Sequence, residues 1–153
     1  MDKKEAIFWS IAFPGFGQFL NGHIVKGVLF ILLEIIINVL SKFNVAIMAS
    51  FQGNISYAFN VINYQWLMFY PCLYFFAMYD AYHFANGKNR PYIFLPFVFC
   101  AYFVTIGLMI ASKIRLGQLI GPVFLPMVFV IPGLISGIII RKIFIHIKKD
   151  AYH

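Results

Sequence analysis

Apolar positions in this chain gather into long runs separated by short polar stretches. A helix needs ~20 largely apolar residues to cross a hydrocarbon core of ~30 Å. Four runs approach that length: Ile24–Leu40, Gln65–Ala85, Tyr92–Ser112 and Leu116–Ile140. Each predicts a spanning helix. An earlier stretch, Ala6–Leu20, is too short to span and is interrupted by Pro14, Gly15 and Gly17. Proline donates no backbone N–H and disfavours a straight helix. Irregular backbone at membrane depth persists only where protein or water satisfies it. The stretch therefore predicts a broken helix that lies in the interface or re-enters and turns back. The expected fold is all-α, a polytopic membrane helical bundle forming one integral membrane domain over residues 1–153.

Between the first two runs, Phe43, Ile47, Phe51, Ile55 and Phe59 recur every four residues over the connection Phe43–Tyr64. On a helix that spacing makes one slowly drifting face, with Asn44, Gln52, Asn54 and Asn60 elsewhere and Gly53 as a candidate break. Two readings stand: an amphipathic helix on the outer leaflet, or an extension of the first span that packs on its neighbours.

Composition agrees with the runs. Of 153 residues, 62% are apolar and 11% charged, against about 45–50% and about 25% in ordinary soluble domains. The mean hydropathy is +0.84. A soluble fold this small keeps too much surface in water to hide so much apolar area. The formal charge is +7, but the basic residues sit singly or in pairs between apolar runs. That placement fits topology and anionic headgroups and argues against nucleic acid. With four spans and both termini in the cytoplasm, the inner side holds Lys3, Lys4, Lys26, Lys88, Arg90, Arg141, Lys142, Lys148 and Lys149. The outer side holds only Lys42, Lys113 and Arg115. A five-span arrangement would put Lys3 and Lys4 on the wrong side. Lys3 and Lys4 followed by Ala6–Phe13 also resemble a signal peptide, but no A-x-A-like cleavage site follows and Glu5 sits at the junction.

Few polar groups interrupt the runs. Glu34 lies ten residues into the first span, ~15 Å deep at ~1.5 Å per residue, where a charge costs ~2.5–3.5 kcal/mol. Asn38, one turn on, is its expected hydrogen-bond partner. Glu34 is either a proton or cation site or a polar clasp between helices; the lack of a second buried acid favours the clasp. Asp80 and His83 lie one turn apart near the inner end of the second span, with Lys26 expected at similar depth as a partner for Asp80. Acid–base chemistry by the Asp80–His83 pair would need a nucleophile or metal at suitable spacing, and none is evident. The four histidines, 23, 83, 146 and 153, show no metal-ligand spacing, and no cofactor is expected. The repeated DAYH at 80–83 and 150–153 reads as chance. Cys72 and Cys100 sit at different depths and read as free, buried thiols. Gly117-x-x-x-Gly121 and Gly133-x-x-x-Gly137 permit close helix approach, within the chain or in an oligomer, and Pro122, Pro126 and Pro132 favour kinks between them. Tyr57, Tyr64, Trp66, Tyr79, Tyr82 and Tyr92 read as an interfacial belt.

The stretch FPGFGQFLNGHIVKG, residues 13–27, resembles the pattern P-G-x-G-Q-x-Y-x-G-x-x-x-K-G of small bacterial membrane proteins. A similar opening precedes the permease core in some sugar ABC transporter subunits, and the domain named for its two transmembrane helices is distantly similar. Pro14, Gly15, Gly17, Gln18, Gly22, Lys26 and Gly27 match, while Leu20 stands in place of the family's Tyr. YDAYHFANGKN, residues 79–89, is similar to a later D-A-Y-R-x-A motif. Asp80, Ala81, Tyr82 and Ala85 match and His83 replaces Arg. The resemblance covers about half of the chain. It implies a bacterial inner-membrane protein and no catalysis.

In physical terms, Pro14 breaks the first segment and Gly15 and Gly17 let it turn. Gln18 and Asn21 satisfy the freed backbone groups, and Lys26 snorkels to the headgroups. The result is a helix–break–helix hairpin whose inner tip meets Asp80. The expected function is non-enzymatic: an accessory or assembly subunit with the lipid bilayer and other membrane subunits, or further copies of itself, as partners. The alternative is a small proton-, ion- or solute-conducting transporter using Glu34. A lipid-active enzyme using Asp80 and His83 ranks last.

Overall fold

The computed structural model describes residues 1–111, 113 and 115–150. Ser112, the expected end of the third run, and most of the second DAYH copy lie outside the described residues. Among the described residues the chain is helical, with no strand beyond a single bridge between Asp2 and Asn86.

The helices in chain order are α1 (Lys3–Ala12), α2 (Phe16–Leu20), α3 (Ile24–Ser41), α4 (Phe43–Phe51) and α5 (Ile55–Val61). They continue as α6 (Tyr64–Leu67), α7 (Tyr70–Phe84), α8 (Phe94–Ile110), α9 (Arg115–Val128) and α10 (Val130–Asp150). Two stretches are long and apolar enough to cross a membrane, Ile24–Ser41 and Leu119–Lys149; α8 is apolar but shorter.

The first apolar stretch breaks at its proline. Gly15 adopts a φ of +105°, a left-handed conformation open to glycine at little cost, and separates α1 from α2. The uninterrupted run that follows becomes α3. It ends at Lys42, whose φ of 56° turns the chain into α4.

Three boundaries differ from expectation. The run 65–85 forms two helices. Pro71, in the first turn of α7, has no N–H for the Leu67 carbonyl and its ring crowds that group. The chain answers with a tight turn in which Phe69 N–H bonds Trp66 O at 3.2 Å, before Leu73 N–H resumes the ladder to Phe69 O at 3.1 Å. The run 116–140 is likewise divided. Gly121 leaves helical geometry at φ 96°, ψ 171°. After Pro126, Phe129 N–H is shared between Leu125 O and Pro126 O. Beyond Ile140 the helix does not stop. α10 runs on to Asp150, because polarity ends an apolar run without ending a helix, and Lys148 and Lys149 suit its C-terminal dipole.

The connection 43–64 is the segment for which two readings stand. It is built into the interior as α4, α5 and α6, broken at Gly53 with φ +78°. Its buried face is Ala46, Ala49 and Ala58, which join Ile62, Leu67, Leu108 and Val123 in the larger core cluster. Phe51, on the expected apolar face, is 73% exposed. Phe43 and Ile47 of the same face pack partly buried against that cluster. A smaller core joins Ala6 of α1 to Ala81 and Ala85 of α7.

α8 is covered by α7, α9 and α10. The α8–α10 contact depends on missing side chains. A Cβ on Gly133 would stand 2.8 Å from Cys100 Cα, and one on Gly137 would stand 2.5 Å from Pro96 Cα. The second G-x-x-x-G pair is thus used inside the chain.

Candidate functional site

The two motifs that carry the family resemblance meet in space, where the α1–α2 hairpin and the start of α3 close on α7. Glycines set the approach. A Cβ on Gly17 would collide with Ser10 Oγ and lie 2.6 Å from Ala81 Cβ. A Cβ on Gly15 would lie 2.7 Å from Gly27 O, and one on Gly27 would lie 2.6 Å from the Phe19 ring. Gly22 is different: open space surrounds it, and its φ of +83° is what requires glycine. Pro14 is fully buried beneath the turn.

With α2 seated this closely, its polar side chains reach α7. The buried Gln18 donates from Nε2 to Ala77 O at 2.7 Å and to Asp80 Oδ2 at 3.1 Å. Asn21 Nδ2 donates to Ala81 O at 2.8 Å. Lys26 Nζ lies 2.7 Å from Asp80 Oδ1 and 3.9 Å above the Phe84 ring. Gln18 and Asn21 were expected to satisfy backbone freed at the Pro14 break; they bond a neighbouring helix instead, whose carbonyls have a second lone pair to offer.

The N-terminus completes the latch. Asp2 caps α1, accepting from Lys4 N–H at 2.7 Å and Glu5 N–H at 2.8 Å. Lys3 Nζ donates to Tyr82 O at 3.0 Å, Ala85 O at 3.1 Å and Asn89 Oδ1 at 2.7 Å. An ammonium at a helix C-terminus satisfies orphan carbonyls and complements the dipole. Partial desolvation there holds the Lys3 ammonium below its ordinary pKa. Asn86 N–H donates to Met1 O at 3.0 Å.

His83 stands apart from Asp80. Its Nδ1 is 3.4 Å from Tyr79 Oη, and its carbonyl accepts from Asn89. The Asp80 carboxylate is engaged by Gln18 and Lys26, so the Asp–His pair considered for acid–base chemistry is not assembled. Tyr82, expected in an interfacial belt, is buried under Lys3 and packs with Phe97.

Glu34 occupies a separate place. It is 4% exposed and lines a partly open cavity of about 810 Å³ between α1, α3, α4, α7, α8, α9 and α10. Its Oε2 is buried and has no hydrogen-bond partner. Tyr70 and Asn38 lie beside the carboxyl as its hydrogen-bonding neighbours, and Asn38 also faces Asn44. Asn38 Nδ2 donates to Asn44 Oδ1 at 3.1 Å, and Asn38 Oδ1 accepts from Asn44 N–H at 3.2 Å. The Lys42 turn brings Asn44 back over the end of α3, so Asn38 joins Asn44 as well as standing beside Glu34. Cys100 is buried in the cavity wall, whereas Cys72 is exposed, contrary to its reading as a buried thiol. Among the described residues no three His, Cys, Asp or Glu side chains gather where they could hold a metal.

Sequence reading paired Lys26 with Asp80 because opposite charges at similar depth demand it. It missed Lys3, whose partners are backbone carbonyls some 80 residues away, and it missed the tyrosines around Glu34. The polar residues Gln18 and Asn21 inside an apolar stretch were themselves the signal for a partner helix. No family model, curated protein or solved structure matches this chain.

Proposed function

We propose that this is a non-enzymatic integral membrane protein, an accessory or assembly subunit of a membrane complex or transporter in a bacterial inner membrane. The observation that carries the membrane reading is the surface of its two longest apolar stretches, only 28% of each being buried. A core helix of a soluble protein turns most of its apolar surface inward. Here Val25, Leu29, Leu32, Ile36 and Val39 of α3 and Ile131, Ile135 and Ile139 of α10 face outward. Exposed apolar area of that extent needs hydrocarbon or another helix to cover it.

Four crossings fit the fold: α3, α6 with α7, α8, and α9 with α10. From Tyr64 to Phe84 the second crossing rises roughly 30 Å at ~1.5 Å per residue. The α1–α2 hairpin then enters and leaves on the cytoplasmic side, with Phe8, Trp9 and Ile11 turned outward to the bilayer. Both termini lie with the basic majority, against anionic headgroups. Labelling of cysteines at positions 3 or 4 by an impermeant reagent from outside would overturn this topology. The subunit role rests on small size, outward apolar faces and Asp80's use as a latch. Purification in mild detergent recovers a stoichiometric membrane partner on this reading; repeated recovery of a lone monomer rejects it.

A second reading, conduction of protons, ions or a solute, is favoured by one observation: the unpartnered Glu34 Oε2 at the cavity wall. Reconstituted flux abolished by Glu34→Gln supports it, and flux indifferent to that change removes Glu34 from the path.

A further inference from the structure

The cavity around Glu34 has three properties that together define an occupant. The first is charge. Among the described residues Glu34 is the only Asp, Glu, Lys, Arg or His in a lining that is otherwise apolar and aromatic, so no opposite charge in the wall faces it. One carboxyl oxygen is buried without a hydrogen-bond partner, and a bound cation would pair it. The second is the wall beside the carboxyl. Tyr70 and Tyr74 stack with centroids 5.8 Å apart, and the Phe43 ring lies 5.0 Å from Tyr70. Tyr74 is held by donation from its hydroxyl to Ile11 O at 2.8 Å. Aromatic faces attract cations through their quadrupole. The third is size: about 810 Å³, within the ~300–1,000 Å³ of small-molecule sites.

We propose that this cavity binds a lipophilic organic cation, a positively charged centre set against Glu34 and carried on an apolar body that fills the remaining wall. A small hydrated ion would leave the apolar lining unfilled. An anion meets the wrong charge. A neutral acyl chain fills the volume but leaves the carboxyl oxygen unmatched. Binding shares Glu34 with the conduction reading and requires no transport, so equilibrium measurements test it independently of flux.

The test uses the full chain in phosphatidylcholine nanodiscs with radiolabelled methyltriphenylphosphonium as the probe. Triphenylphosphine oxide is the uncharged competitor with the same triphenyl body. The expected result is saturable binding at one site per chain, weakened at least tenfold by Glu34→Gln and not displaced by the oxide. Tyr70→Leu weakens binding by a smaller factor. Uptake no greater than that of empty nanodiscs, equal affinity in Glu34→Gln, or equal displacement by the oxide overturns the proposal. The comparison of cation with oxide needs only the unaltered protein and decides the matter even where Glu34→Gln does not fold.

Discussion

Breaking the Lys26–Asp80 contact measures how strongly the start of α3 is fastened to α7. Asp80→Asn removes the charge, keeps the shape, and still offers Gln18 Nε2 an acceptor. Lys26→Met removes the ammonium and keeps an apolar stem over Phe84. At the observed 2.7 Å, Coulomb attraction is ~6 kcal/mol at an effective dielectric of 20 and ~1.5 kcal/mol at that of water. The Lys26 side chain is 42% exposed and that of Asp80 10%, so screening pulls the value toward the lower figure. Ordering a lysine offsets up to ~2 kcal/mol more in rotamer entropy. The net coupling should be about 0.5–1 kcal/mol. A double-mutant cycle on reversible unfolding in mixed dodecylmaltoside–SDS micelles isolates it, since the loss of the cation–π contact with Phe84 is common to both Lys26→Met legs and cancels. If the two substitutions are additive within ~0.3 kcal/mol, the ion pair does not fasten α3 to α7 and Asp80's latch role fails.

Further tests separate close packing from backbone conformation. Gly17→Ala forces a Cβ against Ser10 Oγ and Ala81 Cβ and should cost ~1–3 kcal/mol by overpacking. Gly22→Ala meets open space at φ +83° and should cost nearer ~1 kcal/mol, without loosening the α2–α7 contact in crosslinking. Gly137→Ala places a methyl 2.5 Å from Pro96 Cα and should lower the unfolding midpoint; an unchanged midpoint would show that α8 and α10 are not held this closely. The Asp2 carboxyl is held below its usual 3.8 by the Glu5 N–H bond first, and by Lys4. Its contribution is therefore complete above the unfolded value and lost as pH falls through the lower folded one. The stability difference between wild type and Asp2→Ala should shrink as pH is lowered below ~4, and a difference constant down to pH 2 would refute the cap.

What the sequence revealed depended on whether the deciding interaction was local. The Pro14–Gly15 break and the extent of α3 were readable because proline chemistry and an uninterrupted apolar run act on their own residues. The Pro71 break obeys the same chemistry, yet the surrounding run concealed it: hydropathy reports where hydrocarbon is tolerated, not where hydrogen bonds are lost. The Lys26–Asp80 pair was readable from charge and depth. Lys3 capping α7 was not, because backbone carbonyls leave no mark in sequence, and neither was Asn38 joining Asn44, which depends on the left-handed turn at Lys42.

Which side of a helix packs inward was the least legible feature, and on the proposed membrane reading the solvent explains why. In the connection 43–64, the phenylalanine and isoleucine spacing marked one face, but Ala46, Ala49 and Ala58 form the buried one. The same choice recurs where α1 meets α7 through Ala6, Ala81 and Ala85, and where α10 meets α8 through Gly133 and Gly137. Water would reward burial of Phe51 and Phe8. Hydrocarbon gives no such reward, because lipid is as apolar as the protein interior, so helix contacts are selected by how closely backbones approach. Small residues then set the closest helix contacts, while many large apolar residues stay on the surface beside a core that also holds Leu67, Leu108 and Leu125. A fold with alanine and glycine at its helix contacts and exposed phenylalanine, valine and isoleucine along its longest helices has the packing expected of a chain dissolved in lipid.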